Sequence, residues 1–191
     1  MDNEIKKILD EIRVMLSKTV VINTCIVFYK QLKDIKKDFP EKYEIGRNFF
    51  NSVSCAYDYI IICELVKLFK ESEQRGNLYR IISSYKNSIN QNNKEAENTL
   101  NNISEELKNI DITPLLVYRD KYLAHSDAKY FGNPQKLEET YAFDLDSYEA
   151  LNNTAIDILS KLYRELSKED FSFTPTLMSG YDLYKIINKM N

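Results

Sequence analysis

The chain has one histidine, His125, and it stands six residues after an arginine in the string Leu115-Leu116-Val117-Tyr118-Arg119-Asp120-Lys121-Tyr122-Leu123-Ala124-His125-Ser126-Asp127. An imidazole titrates near neutral pH, so it can accept a proton under ordinary conditions. A guanidinium presents a rigid fork of donors that matches phosphate oxygens. Its charge also lowers the pKa of a neighbouring histidine, which favours the neutral base. Asp120 and Asp127 flank the pair and are candidates to fix the imidazole tautomer or to hold Arg119 in place. With RNA, such a base would take the proton of a 2′-hydroxyl, which then attacks the adjacent phosphorus. The arginine would stabilise the charge that develops on the phosphoryl oxygens. This chemistry needs no metal and no cofactor. The leaving 5′-oxygen still wants a proton, and two-fold dimerisation would bring a second Arg119/His125 pair to the same cleft.

Spacing sets conditions on that chemistry. On a regular helix Arg119 and His125 lie about 120° apart, so they do not share a stripe. Lys121 and Tyr118, four and seven residues before His125, do share its stripe, whereas Arg119 sides with Leu116 and Leu123. Arginine and histidine converge if the helix frays near His125, if the long arginine side chain reaches round, or if a second chain completes the site. The purely structural alternative makes Arg119, Asp120 and Asp127 an ion-pair network at a helix end. His125 would then sit against the C-terminal helix dipole.

The elements that must hold this stretch read as helices. Residues 4 to about 37 carry Ile5, Ile8, Leu9, Ile12, Met15 and Leu16 at three-and-four spacing, with Asp2 or Asn3 as a cap and Pro40 ending the segment. The β-branched run Thr19 to Ile22 is a candidate break. A second helix over about 43–71 is apolar on most sides, from Phe49 and Phe50 to Leu68, which predicts a central place in a bundle. Arg75-Gly76-Asn77 supplies the stop. Shorter helices follow over 78–89 and 94–110, and Thr113 and Pro114 mark the start of a fifth that carries Leu115 to about Ala124. Residues 126–143 form the longest irregular stretch, with Tyr130, Phe131 and Tyr141 as an aromatic patch. Asp144 or Asp146 opens a sixth helix to Leu166; residues 171–175 are extended, and 181–187 form a short terminal helix. The predicted fold is all-α, a bundle of long antiparallel helices.

Composition narrows the class. A chain of 191 residues with only four Gly and four Pro suits helices joined by short connections. The net charge of −3 argues against broad binding to nucleic-acid backbone, while leaving room for a local basic cleft. Lys33, Lys36, Lys37, Lys42 and Arg47 make one basic stretch, and Lys67, Lys70, Arg75, Arg80 and Lys86 another; both read as solvated helix faces. Cys25, Cys55 and Cys63 fit reduced core thiols. The longest apolar candidate for a membrane span, around Tyr59 to Leu68, is broken by Glu64 and Lys67. The acidic N-terminus has no apolar segment after it of the kind a signal peptide needs. The expectation is a cytoplasmic protein without membrane contact.

The string Arg119-Asp120-Lys121-Tyr122-Leu123-Ala124-His125-Ser126-Asp127 also resembles the R-D-K-x-x-A-H-x-D signature of a bacterial branch of the HEPN superfamily, one linked to phage abortive infection. Every specified position is matched, and five residues separate the arginine from the histidine. The order of elements is similar too: a long apolar helix with Phe49-Phe50, a short one with Leu78-Tyr79-Arg80-Ile81-Ile82, then the motif helix and a long helix after it. The resemblance covers about residues 1–170 as a HEPN-like bundle, with 171–191 as a C-terminal extension on the same domain. It implies an up-and-down bundle, usually dimeric, with the motif near the dimer cleft. Many such proteins are metal-independent ribonucleases of phage defence or toxin–antitoxin pairs, which would make Arg119 and His125 catalytic, with Asp120, Lys121 and Asp127 supporting. Others are non-catalytic modules that bind nucleotides or partner proteins. Expected partners are therefore a second copy, RNA, and a cognate antitoxin or defence protein.

Overall fold

The structure, a computed structural model, describes residues 3–72, 74–88, 93–120, 144–169, 171, 173 and 182–189. The regular elements among them are helices: α1 (Asn3–Asp38), α2 (Pro40–Ile45), α3 (Arg47–Phe69), α4 (Leu78–Ser88), α5 (Lys94–Lys108), α6 (Thr113–Tyr118), α7 (Leu145–Ser167) and α8 (Asp182–Lys189). The all-α expectation holds, and the helices build one up-and-down bundle.

α1 is its axis. Ile8, Leu9, Ile12, Met15, Leu16, Ile22 and Ile26 follow the predicted period and are almost wholly buried. The β-branched run does not break the helix. Ile22 and Thr19 face the core, and the Thr19 hydroxyl donates back to the Leu16 carbonyl at 2.7 Å. α1 packs most extensively against α7 and α3 and also meets α2, α4 and α8. Lys18 reaches Glu64 and Phe28 stacks on Tyr57, so α3 runs antiparallel to α1. Arg13 with Tyr163, Thr19 with Asn152 and Lys30 with Glu149 give α7 the same sense. α1 also departs from expectation. It contains the one stretch among the described residues that is long and apolar enough to cross a membrane by length and composition, and 44% of that stretch is buried inside the bundle.

The next boundary lies earlier than the sequence suggested. Pro40 does not merely end α1; it sits in the first turn of α2, a separate helix that closes at Gly46 before α3 begins. Gly46 is needed sterically. A Cβ there would stand 2.8 Å from the ring of Phe50, which is buried and stacked on Tyr43. α3 then buries Ile61, Ile62, Leu65, Val66, Leu68 and Phe69 in its second half. Its first half is not the all-round buried helix its composition implied, because Phe49 is 66% and Tyr59 is 51% exposed. Cys55 is exposed as well, against the expectation of a core thiol, while Cys25 is buried.

Asn77, almost wholly buried, joins α3 to α4. Its amide nitrogen donates to the carbonyls of Lys67 and Lys70, and its oxygen accepts from the backbone of Tyr79 at 2.9 Å and Arg80 at 3.4 Å. α5 is capped by Asn93, whose side chain accepts from Ala96 N–H, and lays Ala96, Leu100, Ile103 and Leu107 into the core. α7 is capped by Asp144 and ends at Lys168 in the left-handed conformation. Phe171 and Phe173 return to the main core beside Tyr163. α8 docks on α1 and α2 through Ile187, which joins Leu32, Ile35, Tyr43 and Phe50 in a second, smaller cluster. Lys42 Nζ donates to the Ile187 carbonyl at 3.0 Å.

Candidate functional site

The motif stretch begins on α6, and its first turn is set by an acid rather than by the expected threonine. Thr113 lies inside the helix, and the residue before it, Ile112, makes no side-chain cap. Asp111 does that work: Oδ1 accepts from Thr113 N–H at 2.9 Å. The Thr113 hydroxyl and backbone N–H together hold the Asp111 carboxyl below the usual aspartate range. Pro114 fits the first turn, where no N–H is missed. Leu115 is buried, and Leu116 and Tyr118 pack on the main core, so the helix is pinned along the side that precedes Arg119.

At Arg119 and Asp120 the winding widens from α to π. Arg119 N–H still closes on the carbonyls of Leu115 and Leu116. Its guanidinium lies against Asp120, with Nε at 2.7 Å and Nη2 at 2.5 Å from the same carboxylate oxygen. Two donors on one oxygen orient the arginine without using its whole fork. The Arg119 side chain is 22% exposed and that of Asp120 is 45% exposed, so the pair is partly buried, with Asp120 the more accessible. Of the two acids considered for holding Arg119, Asp120 is the one the described residues place there. Lys121, His125 and Asp127 lie outside the described residues, as does the expected irregular stretch 126–143 with Tyr130, Phe131 and Tyr141.

Where α7 meets α3 is a polar group of residues that the sequence reading passed over. Tyr148 of α7 is buried, and its hydroxyl donates to Asp58 Oδ1 on α3 at 2.9 Å. Burial pushes the Tyr148 phenol far above its ordinary range, and the Asp58 charge, its hydrogen bond and the nearby Tyr29 and Tyr118 phenols push the same way. Tyr29 belongs to α1 and Tyr118 to α6, so four helices meet at this point. A signal was available: Asp58 is the one charged residue between Arg47 and Glu64, in a run otherwise free of charge. Nearby, Lys30 bridges Glu149 at 2.6 Å and Asp146 at 3.3 Å, tying the start of α7 to α1.

Several side chains of the two basic stretches are paired or stacked. Lys67 and Lys18 share Glu64, Arg47 pairs with Glu44, and Arg80 approaches Glu11. Lys33 and Lys36 lie over the rings of Tyr29 and Tyr43. Among the described residues no group of three or more His, Cys, Asp or Glu side chains is arranged to hold a metal ion.

Compared with known proteins, residues 4–185 of the 191 match a family model described as AbiU2, of HEPN type. No curated protein and no solved structure matches the chain.

Proposed function

Because the chain belongs to the AbiU2 family of the HEPN superfamily, the abortive-infection type, we propose that it is a metal-independent endoribonuclease of phage defence or of a toxin–antitoxin pair. The observation that carries the reading is Arg119, held just after α6 by Asp120 and partly buried. His125 takes the proton of the 2′-hydroxyl, and the freed oxygen attacks the adjacent phosphorus. Arg119 steadies the charge on the phosphoryl oxygens, and the products are a 2′,3′-cyclic phosphate and a 5′-hydroxyl. Lys121 and Asp127 support the pair. The protein acts in the cytoplasm as a homodimer whose two motifs share one cleft, the second histidine serving the leaving oxygen. A cognate antitoxin or defence protein restrains or triggers it.

The test is RNA cleavage by the purified protein with EDTA present, beside Arg119→Ala and His125→Ala proteins of checked helicity and sedimentation. Wild type is expected to leave 2′,3′-cyclic ends, and both variants to lose at least about 10²-fold in rate. Equal activity in all three would remove the motif from the mechanism.

A second reading, a non-catalytic HEPN module that binds a partner protein or nucleotide, is favoured by the first half of α3. There Phe49, Tyr59 and Cys55 are exposed on a flank without charges of its own. Absence of cleavage by any of the three proteins, with capture of a partner abolished by Phe49→Glu, would establish it instead.

A further inference from the structure

Lys7, Arg75 and Arg80 are scattered along the chain, and the fold brings them to one place. The first half of α1, the turn between α3 and α4, and α4 itself line an open groove of about 540 Å³. That volume lies in the range of sites for small ligands. The buried side chains of Ile8 and Met15 form an apolar floor, and Val14, 58% exposed, stands beside them. Gly76 leaves the wall of the groove open. Its φ is 80°, and a Cβ there would meet nothing within 4 Å.

The charges around this floor do not cancel one another. Among the acids, Asp10 pairs with Arg13, which does not line the groove. Glu11 accepts from Gly76 N–H at 2.9 Å, and Glu4 is engaged as well. Among the cations, Lys18 is spent on Glu64. Lys7 and Arg75 have no partner among the described residues, and Arg80 only approaches Glu11, at 3.9 Å. The Ser84 hydroxyl makes no hydrogen bond among the described residues either. Helix serines such as Ser17 and Ser104 return theirs to the carbonyl four residues back. Two guanidinium forks, an ammonium and a hydroxyl thus line one groove with most of their donors uncommitted. A carboxylate offers two oxygens to so many donors. A phosphate monoester offers three, with a charge approaching −2.

We propose that this groove is a binding site for a small phosphate monoester with a compact apolar body. Lys7, Arg75, Arg80 and Ser84 hold the phosphate, and Ile8, Val14 and Met15 carry the body. No residue lining the groove belongs to α6, so the site is separate from Arg119 and does not depend on its chemistry.

The test is calorimetric titration of the full chain with phenyl phosphate, beside benzoate and inorganic phosphate. Benzoate keeps the ring and a lesser anion, and inorganic phosphate lacks the body. Phenyl phosphate is expected to bind at least about tenfold more tightly than either. Lys7→Ala and Arg75→Ala remove side chains that pair with nothing in the fold, and each is expected to weaken binding at least about tenfold. Lys86→Ala, from the same basic stretch but outside the groove, is expected to leave the affinity unchanged. Absence of saturable binding by phenyl phosphate overturns the proposal, as does benzoate binding equally well. Affinity unaltered in Arg75→Ala and Lys7→Ala, or reduced as much in Lys86→Ala, also overturns it, because the attraction would then belong to the surface at large. The readout is binding alone, so its outcome is independent of whether the protein cleaves RNA.

Discussion

Arg119 shows how far residue types and spacing carry an argument, and where they stop. Its neighbour Asp120 was one of two acids in reach by sequence, and it holds the guanidinium through two contacts to one carboxylate oxygen, while Asp127 lies outside the described residues. The guanidinium has donors on two edges and Asp120 engages one of them; on the proposed ribonuclease reading a phosphate meets the fork. Replacing Arg119 by Lys keeps the charge and loses the fork. Arg119→Lys is therefore expected to cut cleavage by about 10²-fold with an unchanged melting temperature; a variant as active as wild type would mean that charge alone suffices. Asp58 was not singled out in the sequence because its meaning depends on Tyr148, ninety positions away. A lone acid within an apolar run is visible in one dimension. Which helices converge on it is not.

At the scale of elements, the helices were legible where periodicity ran long and less so at their ends. α1, α5 and α7 stand almost where the apolar spacing puts them. The boundary between α2 and α3 was missed because Pro40 was taken as a stop, whereas a proline opens a helix as readily as it closes one. The steric need for Gly46 arises only once Phe50 is folded back against it. Thr113 was taken as the cap of α6 by the rule that a cap precedes proline; in the structure it lies inside the helix, and its own N–H donates to the Asp111 carboxylate two residues earlier. At the other flank of the undescribed segment, Asp144 accepts from the Ser147 hydroxyl at 2.7 Å and from its N–H at 2.8 Å. These bonds hold its carboxyl below the usual aspartate range. A depressed pKa contributes stability that is complete above the unfolded value and lost as pH falls through the folded one. The gap in melting temperature between wild type and Asp144→Ala is thus expected to be constant above about pH 5 and to close below about pH 4. A gap that persists at low pH would show that the cap acts without its charge.

At the scale of the whole molecule, the sequence conveyed the class of fold and the axis of the bundle, but not which faces stay uncovered. The apolar residues of α3 are not all covered: its second half is largely buried, while Phe49 and Tyr59 remain in solvent. Sequence reports hydrophobicity, while burial depends on how many helices arrive. The main core draws on α1, α3, α4, α5, α6 and α7 together, with Leu159 at its centre fully buried. Leu159→Ala is expected to cost about 2–5 kcal/mol, measured by urea denaturation. A smaller loss would mean that α7 can settle into the space.

The length and partners of α1 bear on how the protein is made. Thirty-six residues give a rod of about 54 Å, and its most extensive contacts are with α7, which begins more than one hundred residues later in the chain. At ordinary rates of synthesis, α1 leaves the ribosome about 5–20 s before α7 exists to cover it. For that interval α1 lacks the cover of α7, and it contains a stretch whose hydropathy matches that of a membrane span. Nascent chains in that state are what trigger factors and holdase chaperones bind, and this protein should be in their hands until its last long helix is translated.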